Sequence, residues 1–135
     1  MSNAIQTRST YVTEYDAIVE TMQHYIEGGR AGKSELMRPG FHADATMVGY
    51  APGALLTGTI QHLYDWIDGN GPAPDIQARF TSIDILDTIA VVRLEVEHWS
   101  GELAGSDVHM SDAFTLLKTE DGWKISHKTF HWHGQ

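Results

Sequence analysis

The sequence predicts an α+β domain, and three observations carry that prediction. Apolar residues fall at helical spacing early in the chain, at period two in the second half, and short turn-forming segments separate the later runs. Helices gathered first and an antiparallel meander gathered last argue against a parallel α/β sheet, in which strands and helices alternate.

The first helix rests on Val12, Tyr15, Ile18, Val19, Met22, Tyr25 and Ile26. Steps of three and four place these on one wide stripe. Thr13 followed by Asp16 resembles a capping box, and Gly28-Gly29 reads as a C-terminal stop. Ser34 to Arg38 predicts a short second helix ended by Pro39-Gly40. Thr59 can cap a third helix carrying Ile60, Leu63, Tyr64 and Ile67, which stops at Gly69-Asn70-Gly71-Pro72. Short strands are expected around Thr46–Tyr50 and Leu55–Thr57. Long strands are expected over Ala78–Leu86, Thr88–Trp99, Asp107–Thr119 and Trp123–His133, joined by Asp87, by Gly101–Ser106 and by Glu120-Asp121-Gly122. No repeat or low-complexity linker divides the 135 residues, so a single domain over 1–135 is expected. Ser2-Asn3-Ala4 matches a common scar of tag removal, and residues 1–8 are expected to be flexible.

Composition works by exclusion. Eighteen acidic residues against nine Lys and Arg give a net charge of −9, which disfavours a nucleic-acid partner because phosphate binding needs basic side chains. The absence of cysteine removes disulfides, thiol nucleophiles and Cys-ligated metals. No apolar run approaches the roughly 20 residues of a membrane span, and the N-terminus has no signal-peptide pattern, so a cytoplasmic protein is expected. Phosphate-loop, dinucleotide and nucleophile-elbow motifs are missing, and no cofactor is expected. What stands out is histidine, with eight copies.

Strand alternation suggests which histidines face inward. His98 ends the row Ala90, Val92, Leu94, Val96, opposite Arg93, Glu95 and Glu97. In the last strand Trp123 and Ile125 share a face with His127, Thr129, His131 and His133, which places His127 and His131 inside. A bulge after Ser126 would reverse this and bring Phe130 and Trp132 inside instead. Asp112 shares a face with Phe114 and Leu116, its direction left open. A lone strand-end histidine is ordinarily structural; the cluster carries the argument, because several inward polar groups suggest a pocket with polar walls. Two or three of these histidines with Asp112 have the chemistry of a zinc or iron site. Residues four apart on one strand are about 13 Å apart, too far for one ion, so no metal is expected.

The segments Ser111-Asp112-Ala113-Phe114-Thr115-Leu116-Leu117-Lys118 and Glu120-Asp121-Gly122-Trp123-Lys124-Ile125 resemble the closing hairpin of the nuclear transport factor 2-like superfamily. The branch they are most similar to is labelled "putative lumazine-binding". The first helix running into Tyr25-Ile26-Glu27-Gly28, and Gly40-Phe41-His42-Ala43-Asp44-Ala45, match the same branch. The resemblance implies a cone-shaped, curved sheet around the long helix, a pocket at its wide end and dimers through the outer sheet face. Relatives include ketosteroid isomerases, SnoaL-type polyketide cyclases, scytalone dehydratases, limonene epoxide hydrolases and non-catalytic carriers, so fold constrains function weakly. By that resemblance an inward carboxyl group or histidine moves a proton beside a carbonyl, and a first-helix tyrosine helps hold the oxyanion. The corresponding residues here are Asp112, Tyr15 and the candidate bases His98, His127 and His131.

The leading expectation is a pocket protein for a planar, apolar or polycyclic small molecule, with Trp66, Trp99, Phe114 and Trp132 as ligand walls. One alternative is a cofactor-independent isomerase, cyclase or dehydratase with a histidine general base. A second is a non-catalytic interaction or scaffold domain. A homodimer is expected through the outer face, which holds either Phe130 and Trp132 or Ile89, Val91 and Trp99.

Overall fold

A computed structural model describes residues 9–99 and 108–133. The N-terminal eight residues and the Gly101–Ser106 connection lie outside them. Three helices and six strands follow the predicted order: α1 Tyr11–Ala31, α2 Ser34–Met37, a 3-10 turn Arg38–Gly40, β1 Phe41–Ala51, β2 Ala54–Thr59, α3 Gln61–Asn70, β3 Gln77–Leu86, β4 Ile89–Trp99, β5 Val108–Thr119 and β6 Gly122–His133. The strands form one curled, unclosed sheet in the order β2-β1-β6-β5-β4-β3. Every neighbouring pair is antiparallel except β1 with β6.

Helix α1 is capped one turn earlier than the sequence suggests. Thr10 is the N-cap and exchanges side-chain and backbone hydrogen bonds with Thr13, so the capping box is Thr10/Thr13 and not Thr13/Asp16. The helix also runs through Gly28-Gly29 and stops at Gly32, which adopts the left-handed conformation at φ 68°. The two internal glycines serve packing. A Cβ on Gly28 would lie 2.7 Å from Met37 Cβ, and one on Gly29 would lie 2.7 Å from the Trp99 ring. At α3 the N-cap is Ile60, and Thr59 gives no side-chain cap.

The apolar stripe of α1, Ile18, Met22, Tyr25 and Ile26, is buried against the inner sheet row of Ala90, Val92, Leu94, Val96, Phe114, Leu116 and Ile125. Full burial of each large side chain contributes roughly 1.5–3 kcal/mol, which fixes the helix across the concave face.

Two bulges decide what that face presents at its open end. Between β4 and β5 the pairing passes from Val96↔Met110 to Trp99↔Val108, so β4 carries one extra residue there. His98 takes the left-handed conformation at φ 60° and points out, while Trp99 turns in. Between β5 and β6 the pairing passes from Leu116↔Ile125 to Thr115↔His127, leaving Ser126 unpaired. Beyond it Lys128 and Phe130 are buried and Trp132 half-buried, on the inner side. The inward placement of His98, His127 and His131 is therefore wrong, and in β6 the alternative holds: the bulge at Ser126 brings Phe130 and Trp132 inside. Period two holds only while the ladder is regular, and each bulge shifts the frame by one.

Gly49 of β1 sits beside Phe130 of β6, where an added Cβ would come within 2.1 Å of the Phe130 carbonyl oxygen and 2.5 Å of its ring. Gly49→Ala should therefore cost about 1–3 kcal/mol through overpacking. Urea denaturation should show a lower midpoint, and an unchanged midpoint would contradict the close approach.

Candidate functional site

A cavity of about 270 Å³ opens at the end of the sheet where the β4–β5 bulge lies. Met47 of β1 with Leu56 and Thr57 of β2 form one side, and His62, Leu63 and Trp66 of α3 form another. Trp99, Met110, Phe130 and Trp132 supply the sheet wall. Trp66 and Trp132 meet edge to face at 5.2 Å. The volume lies near the low end of the roughly 300–1,000 Å³ of ordinary ligand sites, enough for a small ring system.

One charged side chain lines this cavity among the described residues, and it is Lys128. Only 1% of its residue surface is exposed, and its Nζ stands 4.6 Å from the Phe130 ring centre and 5.6 Å from that of Tyr25. Its counter-charge is Asp112, fully buried on β5, with Nζ 3.9 Å from Oδ1. That separation is an ion pair without a hydrogen bond, and Oδ1 has no hydrogen-bond partner. The other carboxyl oxygen, Oδ2, accepts a 2.8 Å hydrogen bond from the Tyr25 hydroxyl of α1. Tyr25 is itself held by Trp99, stacked at 5.4 Å, and by Phe114, edge-on at 5.1 Å.

The electrostatics follow from burial. Loss of water pushes Asp112 above the usual carboxylate range, opposed by Lys128 and by the Tyr25 hydrogen bond. Burial likewise lowers Lys128 from the ordinary lysine value, opposed by the attraction of Asp112. Burial, reinforced by the neighbouring carboxylate, raises Tyr25 well above 10, so it stays a phenol that donates. Both charged partners are thus drawn toward the neutral carboxylic acid and amine, while their mutual attraction holds them charged.

The other sequence candidates lie elsewhere. His127 stands on the outer face, where its Nδ1 and Thr46 Oγ1 are 2.7 Å apart. His131 is exposed and meets His133 edge-on at 4.7 Å, and His98 is exposed at its bulge. Tyr15 is 37% exposed and packs against Tyr11, so the tyrosine at the site is Tyr25. Phe114 is buried beneath Tyr25 in the core and does not line the cavity. Trp66, Trp99 and Trp132 do line it. The histidine on the cavity wall is His62, an exposed residue of α3 whose ring rests on Gly58. Tyr25 could have been singled out: a tyrosine centred in a fully buried stripe must find its hydroxyl a partner.

Outside the pocket, Glu95, His109 and His133 bring ligand atoms within 4.8 Å of one another on the outer face. Hydrogen bonds within the cluster account for that arrangement. His109 Nε2 lies 2.9 Å from Glu95 Oε1, which also accepts from Ser111 Oγ at 2.9 Å, and Ser111 Oγ lies 2.8 Å from His133 Nε2.

Fold and pocket together define a small α+β protein of the NTF2-like class, with a cavity wall that carries a buried lysine. The chain belongs to the family described as "Putative lumazine-binding", whose model matches residues 13–131. It is 31% identical over 119 residues to "Aldolase FrzH" of Cladobotryum sp, covering 88% of this chain and 91% of that protein. Crystal structures of two NTF2-like proteins of unknown function are similar. The one from Methylobacillus flagellatus KT is 38% identical, with a TM-score of 0.84 and coverage of 93% of this chain and 97% of that one. The one from Shewanella baltica OS155 is also 38% identical at a TM-score of 0.84, covering 95% and 100%. No described helix is long and apolar enough to cross a membrane.

Removing one member of a buried pair strands the other charge, which costs about 3–5 kcal/mol, whereas removing both can be nearly neutral. Asp112→Asn and Lys128→Met should each lower stability strongly, and the double variant should lose much less than their sum. Additive losses in a denaturation cycle would show that the two do not interact. Asp112→Asn should also become pH-dependent. Without the carboxylate Lys128 falls further below its ordinary 10.5, so the folded state binds fewer protons than the unfolded one. Stability of that variant should therefore rise with pH up to the ordinary lysine range and fall as pH drops through the lowered value. A flat profile would contradict the assignment.

Proposed function

We propose that this chain binds a flat, largely apolar small molecule bearing a carbonyl group, and that it acts on that group as a cofactor-independent enzyme. The observation that carries the reading is a buried amine, Lys128, on an otherwise aromatic and aliphatic cavity wall. Tryptophan faces favour a planar ring system, and an apolar wall strengthens any hydrogen bond that forms within it. A carbonyl oxygen seated toward Lys128 is the natural polar match, because ammonium only donates. Positive charge at that oxygen acidifies the neighbouring C–H and stabilises an enolate when the proton leaves. With Lys128 holding the oxygen as ammonium, the proton acceptor on the cavity wall is His62, which replaces the histidine set suggested by the sequence. The name of the curated relative, an aldolase, supports the same chemistry, since an aldol reaction begins with loss of a proton beside a carbonyl.

A carrier would be expected to keep polar groups at the rim, and a scaffold domain to fill the cavity with its own aromatic side chains. Tyr25, Asp112 and Lys128 linked behind an open cavity favour neither.

Saturable quenching of tryptophan fluorescence by lumazine, 2-acetylnaphthalene or 2-naphthaldehyde tests the binding. Trp132→Ala should weaken it about tenfold, a loss of roughly 1.4 kcal/mol. Exchange of the methyl hydrogens of 2-acetylnaphthalene in deuterium oxide, followed by NMR, tests the chemistry. Exchange should be faster with the protein than without it and should vanish in Lys128→Met. Absence of both quenching and exchange would remove the reading.

A homodimer through the outer face accompanies this proposal. Ile89, Val91 and Leu117 leave 38–40% of their surface exposed there, next to one another across β4 and β5. Light scattering should give twice the 15.0 kDa mass of one chain, and a single-chain mass at micromolar concentration would refute it.

A further inference from the structure

We propose that Lys128 is a covalent site: its amine condenses with the aldehyde or ketone carbon of the bound ligand to form a Schiff base. The inference rests on the carbonyl-ligand reading above and adds the bond that the amine makes.

Three features of the structure favour nucleophilic attack over a purely electrostatic role. First, Lys128 lines the cavity, yet its paired carboxylate oxygen lies 3.9 Å away, beyond hydrogen-bond distance. The amine is thus kept near a base without being locked to it. Second, Nζ is closed off from water, with 1% of the residue exposed. Loss of water disfavours the ammonium and raises the share of neutral, nucleophilic amine; the Phe130 and Tyr25 ring faces and Asp112 offset only part of that. Third, Asp112 Oδ1 has no hydrogen-bond partner, while Oδ2 is held by Tyr25. One carboxyl oxygen is anchored and the other is left to take up or deliver a proton.

The step balances within these groups. Asp112 takes one proton from the Lys128 ammonium, which frees the nitrogen lone pair. Nζ attacks the carbonyl carbon, the C=O π pair moves to oxygen, and a proton from nitrogen neutralises it to give a carbinolamine. Asp112 returns its proton to that hydroxyl, the C–O bond breaks, and water leaves as the nitrogen lone pair forms the C=N bond. The sum is ammonium plus carbonyl giving iminium plus water, with no oxidant or reductant. The iminium then withdraws electrons from the adjacent C–H more strongly than a neutral carbonyl does.

The other lysines provide internal controls. Lys118 bonds Glu14, Lys124 donates to the Pro39 carbonyl at 2.8 Å, and Lys33 precedes α2 away from the cavity lining. The experiment incubates the full chain with 2-naphthaldehyde, reduces with sodium cyanoborohydride, and maps the product by mass spectrometry. Reduction of an imine adds the mass of the aldehyde less one oxygen atom. We expect this adduct on Lys128 at least about tenfold faster than on Lys33, Lys118 or Lys124, because a buried amine with a lowered pKa presents more free base than a solvated one. The rate should rise with pH and level off below the ordinary lysine range. Lys128→Met should lose the fast adduct; because that change strands Asp112, the Asp112→Asn/Lys128→Met double variant is compared as well. Labelling of Lys128 no faster than the other lysines, alongside saturable quenching by the same aldehyde, would overturn the covalent role and leave the binding reading intact. Lack of both quenching and adduct would overturn both. Mapping on the unaltered protein decides the matter even if neither variant folds.

Discussion

The carboxylate of Asp112 is the point on which the interior of this protein turns. It has no exposed surface, and it joins three elements that are far apart in sequence: Tyr25 from α1, its own strand β5, and Lys128 from β6. A lone charge in such a position would cost several kcal/mol. Here the cost is offset by one hydrogen bond and one opposite charge, both delivered by the core itself. Helix α1 is therefore held to the sheet by a polar contact inside an apolar interface. An apolar stripe alone tolerates sliding and repacking, whereas a hydroxyl–carboxylate hydrogen bond has one position.

That arrangement depends on an irregularity. Lys128 reaches the interior only because Ser126 drops out of the β5–β6 ladder; in a regular ladder His127 would occupy the inner face and Lys128 would be solvated. Trp99 reaches it for a related reason, one residue after the left-handed His98. The two bulges lie about six residues apart along β5, one opposite Val108–Met110 and the other opposite Thr115–Leu116, and each reverses the side chains of the strand beyond it toward the cavity. The side chains at the site owe their inward direction to these two irregularities.

The same cause explains what could be read from the chain and what could not. The element order, the long helix and the four late strands follow from period and turn residues, which act locally. So does the inner row Ala90, Val92, Leu94 and Val96, which lies in regular ladder. The sequence pattern fails beyond Val96 and beyond Ile125, because a bulge depends on how two distant strands fit and leaves little trace in either one. Every histidine assigned to the pocket lies beyond those points. The glycines of α1 fail differently: Gly28 and Gly29 carry the composition of a helix stop, but Met37 and Trp99 occupy the space their side chains would need. Tyr15 and Tyr25 both lie on the helix, and the choice between them is set by Asp112, a residue about ninety positions away. Contacts of that kind become visible only when the partner's direction is known.

The shift from imidazole to amine changes what the pocket can do. An imidazole's chemistry is proton transfer. A primary amine in water is almost wholly protonated at neutral pH and does little beyond attracting anions. Buried from water, the same amine gives up its proton more readily, while the Phe130 and Tyr25 ring faces and the nearby Asp112 hold it back. Complete burial without the carboxylate would leave a neutral amine with no proton to return to a leaving oxygen. Full solvent exposure with it would leave a surface ion pair of little consequence. The structure holds the intermediate case, in which loss of water pulls both groups toward neutrality and their attraction across 3.9 Å holds them charged. Fold membership alone does not confer this, since the NTF2-like scaffold supports unrelated chemistries; the particular combination of Tyr25, Asp112 and Lys128 does.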